Sequence, residues 1–313
     1  MKIRKPEKLK KGDLIGICAP ASAPDTHENL QRGIRYLERN GYRVKPGRNL
    51  MRRHGYLAGT DKQRAEDLND LFADRHVKAI FVARGGYGSH RILPLLDYSV
   101  VRRHPKILVG YSDITALQLA LFARAGLVTF SGPMVASDLG KKLTGEAEEE
   151  FWDTLTSPRI PKPLSCPEYL PGASIRKQIS AGRIMGGNLS LVASLVGTQY
   201  FPSDHHLILL LEEIDERPYR IDRLLQQIRL AGILKRSRGI VLGQFVHCTP
   251  GPGKPSLTLP DVFREVFAAF RYPILGGLSY GHIKNSMTVP LGILARLNPR
   301  ARRTEFLESP LVR

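Results

Sequence analysis

The chain has 313 residues, with 47 Lys and Arg against 29 Asp and Glu, so its formal net charge is +18. Apolar residues are 42% and charged residues 24%, which excludes a disordered or fibrous chain. At roughly 100–200 residues per domain, the length predicts two domains, each able to bury a core. So basic a balance asks first whether the partner is nucleic acid. The basic residues are spread out, with clusters at Lys2 to Lys11, at Lys235, Arg236 and Arg238, and at Arg296 to Arg303. No helix-turn-helix, zinc-finger spacing or RNP-like aromatic strand accompanies them. The expectation is a solvated basic surface with no nucleic-acid partner, one that still draws acidic ligands from a distance.

Cys18, Cys166 and Cys248 are odd in number and match no metal or redox spacing. They predict no disulfide framework, no metal and a reducing compartment. The basic N-terminus is followed by an apolar run, Leu14 to Ala19, too short for a secretory signal. The longest apolar candidate, Ala116 to Ala136, is broken by Gln118 and Arg124. A soluble, cytoplasmic protein with no membrane partner is expected.

In chain order, Asp13 to Ala19 reads as a short buried strand that stops at Pro20. A helix follows from about Thr26, with Leu30, Ile34 and Leu37 on one face and Gly41 as its stop. Tyr42 to Val44 can be a second strand, and Lys62 to Asp74 a second helix with Leu68, Leu71 and Phe72 inward. Lys78 to Ala83 is a buried strand ending in Arg84-Gly85-Gly86-Tyr87-Gly88, and Ile92 to Leu96 a helical piece. Lys106 to Gly110 is another strand that runs into Tyr111-Ser112-Asp113, before a helix over Ile114 to Ala125 and a strand over Leu127 to Ser131. Apolar strands alternating with helices predict a parallel sheet covered on both faces.

Five prolines between Pro158 and Pro171 predict an extended linker, 158–172, between an N-terminal domain (1–157) and a C-terminal one (173–313). Beyond it, Gly186-Gly187-Asn188 reads as the opening of a helix through Leu195. His206 to Leu211 is a strand ending at Glu212-Glu213. Pro218 starts a helix with Ile221, Leu224, Leu225 and Ile228 inward. Gly239 to Phe245 is a strand, Asp261 to Phe270 a helix, and Ile283 to Leu297 weakly alternating β structure.

Ligand crevices of open α/β sheets lie beyond the carboxyl ends of the strands, and three such ends are unusual here. In Gly110-Tyr111-Ser112-Asp113 a strand delivers a serine at a tight turn before a helix, as in a nucleophile elbow. Ile114 replaces the second glycine of that pattern, and a plain helix cap is the competing reading. Gly85, Gly86 and Gly88 could cradle a phosphate, offer an oxyanion amide, or only turn the chain. Glu212 or Glu213 could orient a histidine or lie on a solvated loop. Among nine histidines, His282 stands out, flanked by small residues and following serine and glutamate in chain order.

With these residues the chain resembles the LD-carboxypeptidase (muramoyltetrapeptide carboxypeptidase) family, which includes the microcin C immunity peptidases. The segments that carry the likeness are LKKGDLIG with Ala19-Pro20-Ala21-Ser22, ARGGYGSHRILPLLD, VGYSDITAL, SGPM, GGNLSLVASLVGT, LLLEEIDERPYRIDRLLQQI and GHIKNSMTVPLG, in family order. The resemblance implies an α/β protein with a Rossmann- or flavodoxin-like parallel-sheet domain and a mixed, β-rich C-terminal domain. It implies Ser112 as nucleophile, His282 as base and Glu212 as the triad acid, with adjacent Glu213 open to confusion with it. It puts oxyanion amides on Gly86 and Asp113, with Arg84 and Asn188 as candidate substrate contacts. No cofactor or metal is implied. The implied reaction releases terminal D-Ala from a cytoplasmic muropeptide tetrapeptide, by a homodimer. A related peptidase acting on a peptidyl-nucleotide antibiotic is the alternative, and segments 173–185 and 246–260 would carry specificity. A nucleic-acid binder and a nucleotide-binding protein using Gly85 to Gly88 are rivals of other classes.

Overall fold

The computed structural model describes residues 2–141, 143–169, 178–203, 206–253 and 255–313. Two compact units result. The first holds residues 1–159 with two returning segments, 287–292 and 309–313, and the second holds 160–286 and 293–308.

In the first unit, β1 (Leu14–Cys18), β2 (Arg43–Pro46), β3 (Val77–Val82), β4 (Ile107–Val109) and β5 (Thr129–Ser131) are mutually parallel in the order 2-1-3-4-5. This is the doubly wound flavodoxin-like order, whose strand direction of travel switches between β1 and β3. Strands β1, β3, β4 and β5 are mostly buried, with Lys78 of β3 exposed, because helices cover both faces: α1 (His27–Arg39), α2 (Asp61–Ala73), α3 (Ser89–Ile92), α4 (Tyr98–Arg103), α5 (Thr115–Ala125) and α6 (Glu146–Thr156). Thr26 caps α1 by accepting from the Asn29 amide, and Thr60 with Gln63 forms a capping box on α2. Helix α5 is buried over nine of its eleven residues, as its nearly all-apolar sequence requires. Helices α4 and α6 were not anticipated. The inward residues of α6 (Ala147, Phe151, Leu155) recur every four positions within an acidic run.

In the second unit, the strands are β6 (Leu164–Ser165), β7 (Glu168–Tyr169), β8 (Ser180–Asn188), β9 (Leu207–Ile214), β10 (Gly239–Val246) and β11 (Ile274–Gly276). The helices are α7 (Leu189–Leu195), α8 (Pro218–Leu230), α9 (Ile233–Arg236) and α10 (Leu259–Phe267). Strand β12 (Val289–Leu291) belongs to the first unit, and β13 (Leu294–Asn298) and β14 (Arg303–Phe306) complete the second. The second sheet runs β6-β14-β13-β8-β9-β10-β11-β7, with β8 to β11 parallel. Its two edge strands are separated in sequence by Cys166 and Pro167 alone. So short a link spans at most about 11 Å, so the sheet must curl until its edges nearly meet.

Several expectations are corrected. The Pro-rich stretch is not an extended linker throughout: residues 164–165 and 168–169 pair with β14 and β11, and 170–172 lie outside the described residues. The stretch 173–313 is not one continuous domain. Strand β12 adds antiparallel to β5, and Val312 exchanges backbone hydrogen bonds with Pro6 and Lys8, so edge hydrogen bonding draws both segments to the first unit. Gly186 and Gly187 end strand β8, and the helix begins after Asn188. Strand β9 continues through Glu212 and Glu213 to Ile214, so neither glutamate is on a solvated loop. Residues 283–288 precede β12 as loop, not β structure. Residues 173–177 and Lys254, within the expected specificity segments, lie outside the described residues.

Candidate active site

At the carboxyl end of β4 the chain turns at Ser112 and enters a 3-10 turn, Ser112–Ile114, that continues as α5. Ser112 has φ +64, a left-handed conformation that a non-glycine residue adopts at a cost. Gly110 fits because a Cβ there would press on the Ile114 side chain at 3.0 Å. The strained serine is therefore the feature that the missing second glycine of the elbow pattern had left open.

The glycine loop after β3 lies against this turn. A Cβ on Gly85 would sit 3.1 Å from the Ser112 Cβ, and one on Gly86 only 2.3 Å from the Ser22 Oγ. Gly86 also has φ +100, so glycine is required on both counts. The Ser22 amide donates to the Gly85 carbonyl at 3.1 Å, and the Tyr87 amide donates to Ser22 Oγ at 3.2 Å. Among the described residues, the amides of Gly86 and Asp113 have no backbone acceptor. The Asp113 carboxylate is buried and accepts from the Ser89 amide at 2.8 Å and from the Gly88 amide. Burial pushes its pKa up, while these amide donors pull it back. Asp113 thus ties the serine turn to the glycine loop.

Sequence reasoning missed Arg64. Its buried guanidinium donates to the Pro20 carbonyl, to Gly88 O at 2.9 Å, and to Asp61. One side chain thereby holds the chain after β1 against the chain after β3. The signal was present: Arg64 lies on the same stripe of α2 as buried Leu68 and Leu71. Arg84 pairs with Asp25 and donates to the Ala23 carbonyl at 3.2 Å.

In the second unit, Glu212 sits near the carboxyl end of β9 with 1% of its side chain exposed. His282 Nδ1 lies 2.8 Å from Glu212 Oε2, and the His282 side chain is 16% exposed. Beside a carboxylate, Nδ1 carries the ring proton, which leaves Nε2 as the basic nitrogen. The loop that carries His282 is pinned to β10: the Gln244 amide donates to the Tyr280 carbonyl at 2.9 Å, and Leu278 N donates to Leu242 O at 3.3 Å. Gly281, at φ +123, lets this loop approach closely, since a Cβ there would meet Glu212 Oε2 at 2.8 Å. Glu212 Oε1 has no hydrogen-bond partner among the described residues.

Glu213 points to the other face of β9, as the period of two demands. It accepts from Asn188 Nδ2 at 2.6 Å, the Ser190 amide at 2.9 Å, Ser190 Oγ at 2.7 Å and the Ile214 amide at 3.0 Å. Burial raises its pKa against these donors. Asn188 also caps α7 through the Leu191 amide, so the structure occupies both ends of its side-chain amide internally. The structure therefore brings His282 together with Glu212 rather than Glu213. It also groups Ser112, Gly86, Asp113 and Arg84 on one strand edge of the first unit. Among the described residues no cluster of three or more His, Cys, Asp or Glu could hold a metal, and no helix is long and apolar enough to cross a membrane.

Residues 15–132 match the LD-carboxypeptidase N-terminal domain and residues 181–297 the LD-carboxypeptidase C-terminal domain. The chain is 39% identical to the "Probable murein peptide carboxypeptidase" of Bacillus subtilis, over 97% of this chain and 94% of that protein. The solved muramoyltetrapeptide carboxypeptidase of Oxalobacter formigenes superposes with a TM-score of 0.82 at 31% identity, covering 93% of this chain and 97% of that one. A mutant of the microcin C7 self-immunity protein MccF, solved in complex with adenosine monophosphate, superposes with a TM-score of 0.86 at 26% identity over 99% of this chain and 100% of its own. With both halves of the chain matched in order, the protein belongs to the LD-carboxypeptidase family of serine-type hydrolases.

Proposed function

We propose that the protein is a muramoyltetrapeptide carboxypeptidase that releases terminal D-Ala from a muropeptide tetrapeptide, with Ser112, His282 and Glu212 as its triad. The observation that carries this reading is His282 Nδ1 at 2.8 Å from the buried Glu212 carboxylate, a contact that fixes the imidazole with Nε2 as its basic nitrogen. In this reading Ser112 Oγ attacks the carbonyl between the L-centre of diaminopimelate or lysine and D-Ala, and His282 Nε2 takes the hydroxyl proton. Glu212 holds the Nδ1–H and stabilises the imidazolium. The amides of Gly86 and Asp113 receive the developing oxyanion, each worth roughly 3–4 kcal/mol. His282 returns its proton to the departing D-Ala amine, and water then hydrolyses the Ser112 ester by the reverse relay. The strained φ of Ser112 supports its role, since strain of this kind gathers at reacting residues.

The test is incubation with a muropeptide tetrapeptide, read by mass. Loss of one alanine, abolished in Ser112→Ala and His282→Ala, is expected. Unchanged turnover by Ser112→Ala refutes the triad. The likeness to MccF favours a second reading, hydrolysis of a peptidyl-nucleotide antibiotic. A peptidyl adenylate offered beside the tetrapeptide decides between them, and faster turnover of the tetrapeptide is expected. The same reading puts the enzyme in the cytoplasm as a homodimer, which cell fractionation and light scattering check.

A further inference from the structure

The second unit carries a cavity of about 700 Å³ that the proposed chemistry does not use. It lies at the amino ends of the parallel strands: its lining includes Ser180 at the start of β8, Arg238 just before β10, and Pro273 just before β11. Glu212 lies five residues along β9 from the start of that strand, at the opposite edge. At about 3.3 Å per residue that is roughly 17 Å away.

The chemistry of the lining is one-sided. Among the described residues it holds four cations, Arg229, Lys235, Arg238 and Arg271, and no carboxylate. None of the four makes an ion pair among the described residues. Arg238 donates instead to His206 Nδ1 at 2.7 Å, and Arg229 reaches only Gln226 Oε1 at 3.5 Å. Elsewhere this chain pairs many of its exposed cations, as at Arg91–Asp61, Arg264–Asp261 and Arg296–Glu305. Four like charges around one cavity, without an ion pair among the described residues, repel each other, a cost that a bound anion removes. Phe270 and Tyr272 complete a wall, their rings stacked at 5.5 Å and 17°. The Tyr272 hydroxyl is buried and has no hydrogen-bond partner among the described residues, a donor that a ligand oxygen could satisfy.

We propose that this cavity is a binding site for a multiply charged phosphate anion, a di- or triphosphate, free or as part of a nucleotide. Guanidinium groups match phosphate oxygens in pairs, and Lys235 adds a point charge. The volume lies within the range of small-molecule sites. The site is independent of the peptidase reading and stands apart from Glu212 and His282.

The experiment is calorimetric titration of the full chain with sodium tripolyphosphate at about 0.15 M salt, where long-range attraction between exposed charges is largely screened. Saturable 1:1 binding is expected, weakened at least tenfold in Lys235→Glu with Arg271→Glu. A control with the same change in net charge, Lys10→Glu with Lys62→Glu, should bind as the unaltered protein does. Nucleoside triphosphate in a parallel titration identifies the source: tighter binding than tripolyphosphate marks a nucleotide site that uses the aromatic wall, and weaker binding marks an inorganic polyphosphate site. No saturable binding, or equal losses in the two paired variants, overturns the proposal. So does tighter binding of a single-stranded oligonucleotide with the same dependence on Lys235 and Arg271, which would make the face a nucleic-acid surface.

Discussion

The adjacent glutamates of β9 offer a sharp test, because the same substitution at neighbouring positions should have opposite consequences. Glu212→Gln keeps size and shape but removes the charge 2.8 Å from His282 Nδ1. An ion pair at that distance is worth about 6 kcal/mol at an effective dielectric near 20, or about four powers of ten in rate if the imidazolium forms in the transition state. The amide also favours the wrong tautomer. A Gln NH2 facing Nδ1 makes that nitrogen an acceptor and moves the ring proton to Nε2, where no lone pair remains for the serine proton. Loss of the correct tautomer in such triads costs about 10⁴ in kcat, of the same order. Glu213→Gln should instead lower stability by about 1–3 kcal/mol, because one of its donor-facing oxygens becomes an NH2 beside Asn188 or Ser190. Its kcat should stay within about threefold of the unaltered value. The assay is D-Ala release, read through a D-amino-acid oxidase couple, beside urea unfolding of each variant. If Glu213→Gln loses the activity and Glu212→Gln keeps it, the acid is misassigned by one residue. If neither changes kcat, no carboxylate of β9 takes part.

Other outcomes follow from the same geometry. Gly86→Ala forces a Cβ to within 2.3 Å of Ser22 Oγ at φ +100, so the loop must move its amide, and kcat should fall about 100-fold or more with little change in KM. Asp113→Ala strands the Ser89 and Gly88 amides that the carboxylate accepts, at about 1–3 kcal/mol each, and should lower both Tm and kcat; Asp113→Asn, which keeps one acceptor, should restore part of both. Lys106 is buried and donates to the Asp74 and Val77 carbonyls, and its burial lowers its pKa from 10.5 to about 8. Below about pH 8 it is charged in both folded and unfolded chains and the penalty is constant; between about 8 and 10.5 only the unfolded chain holds the proton, so stability rises with pH. The unfolding free energy of the unaltered protein should therefore gain about 3 kcal/mol on Lys106→Met across that window, measured by urea titration at both ends. A flat difference between the two proteins would show that the amine is not desolvated.

The parts of this fold legible in sequence were those whose signal is local. Buried strands such as β3, over residues 79–82, and Ile107–Val109 carry apolar runs, and Thr26 and Pro218 mark helix starts by their own chemistry. What was not legible depends on a distant partner. Strand β12 is three residues long and exists because β5 offers it an unpaired edge. The short strands at 164–165 and 168–169 sit among prolines that argue against any strand, yet they lie at sheet edges, where a missing amide donor costs least. The glutamates stay ambiguous in sequence, because a charged doublet after an apolar run suits both a strand end that orients a histidine and a solvated loop. A strand continues through a carboxylate when its neighbours supply donors, as Asn188 and Ser190 do for Glu213.

That last case explains how a doublet of buried acids can be useful. The period of two along β9 sends Glu212 toward the loop of His282 and Glu213 toward the start of α7, so one rigid strand end supports two separate arrangements. Glu213 is satisfied by four donors and anchors the turn from β8 into α7. Glu212 has one partner, His282, and a second oxygen with none among the described residues, which places the imbalance on the face that holds the imidazole. A carboxylate with a single strong donor concentrates its field on that donor, whereas one shared among four is spent on structure. The same contrast separates the cations of this +18 chain. Arg64 is committed to carbonyls and Asp61 and serves the fold, while Lys235 and Arg271 face a cavity with no acidic partner among the described residues. Function is therefore to be sought where a charge is held in place by the fold and left incompletely satisfied by it.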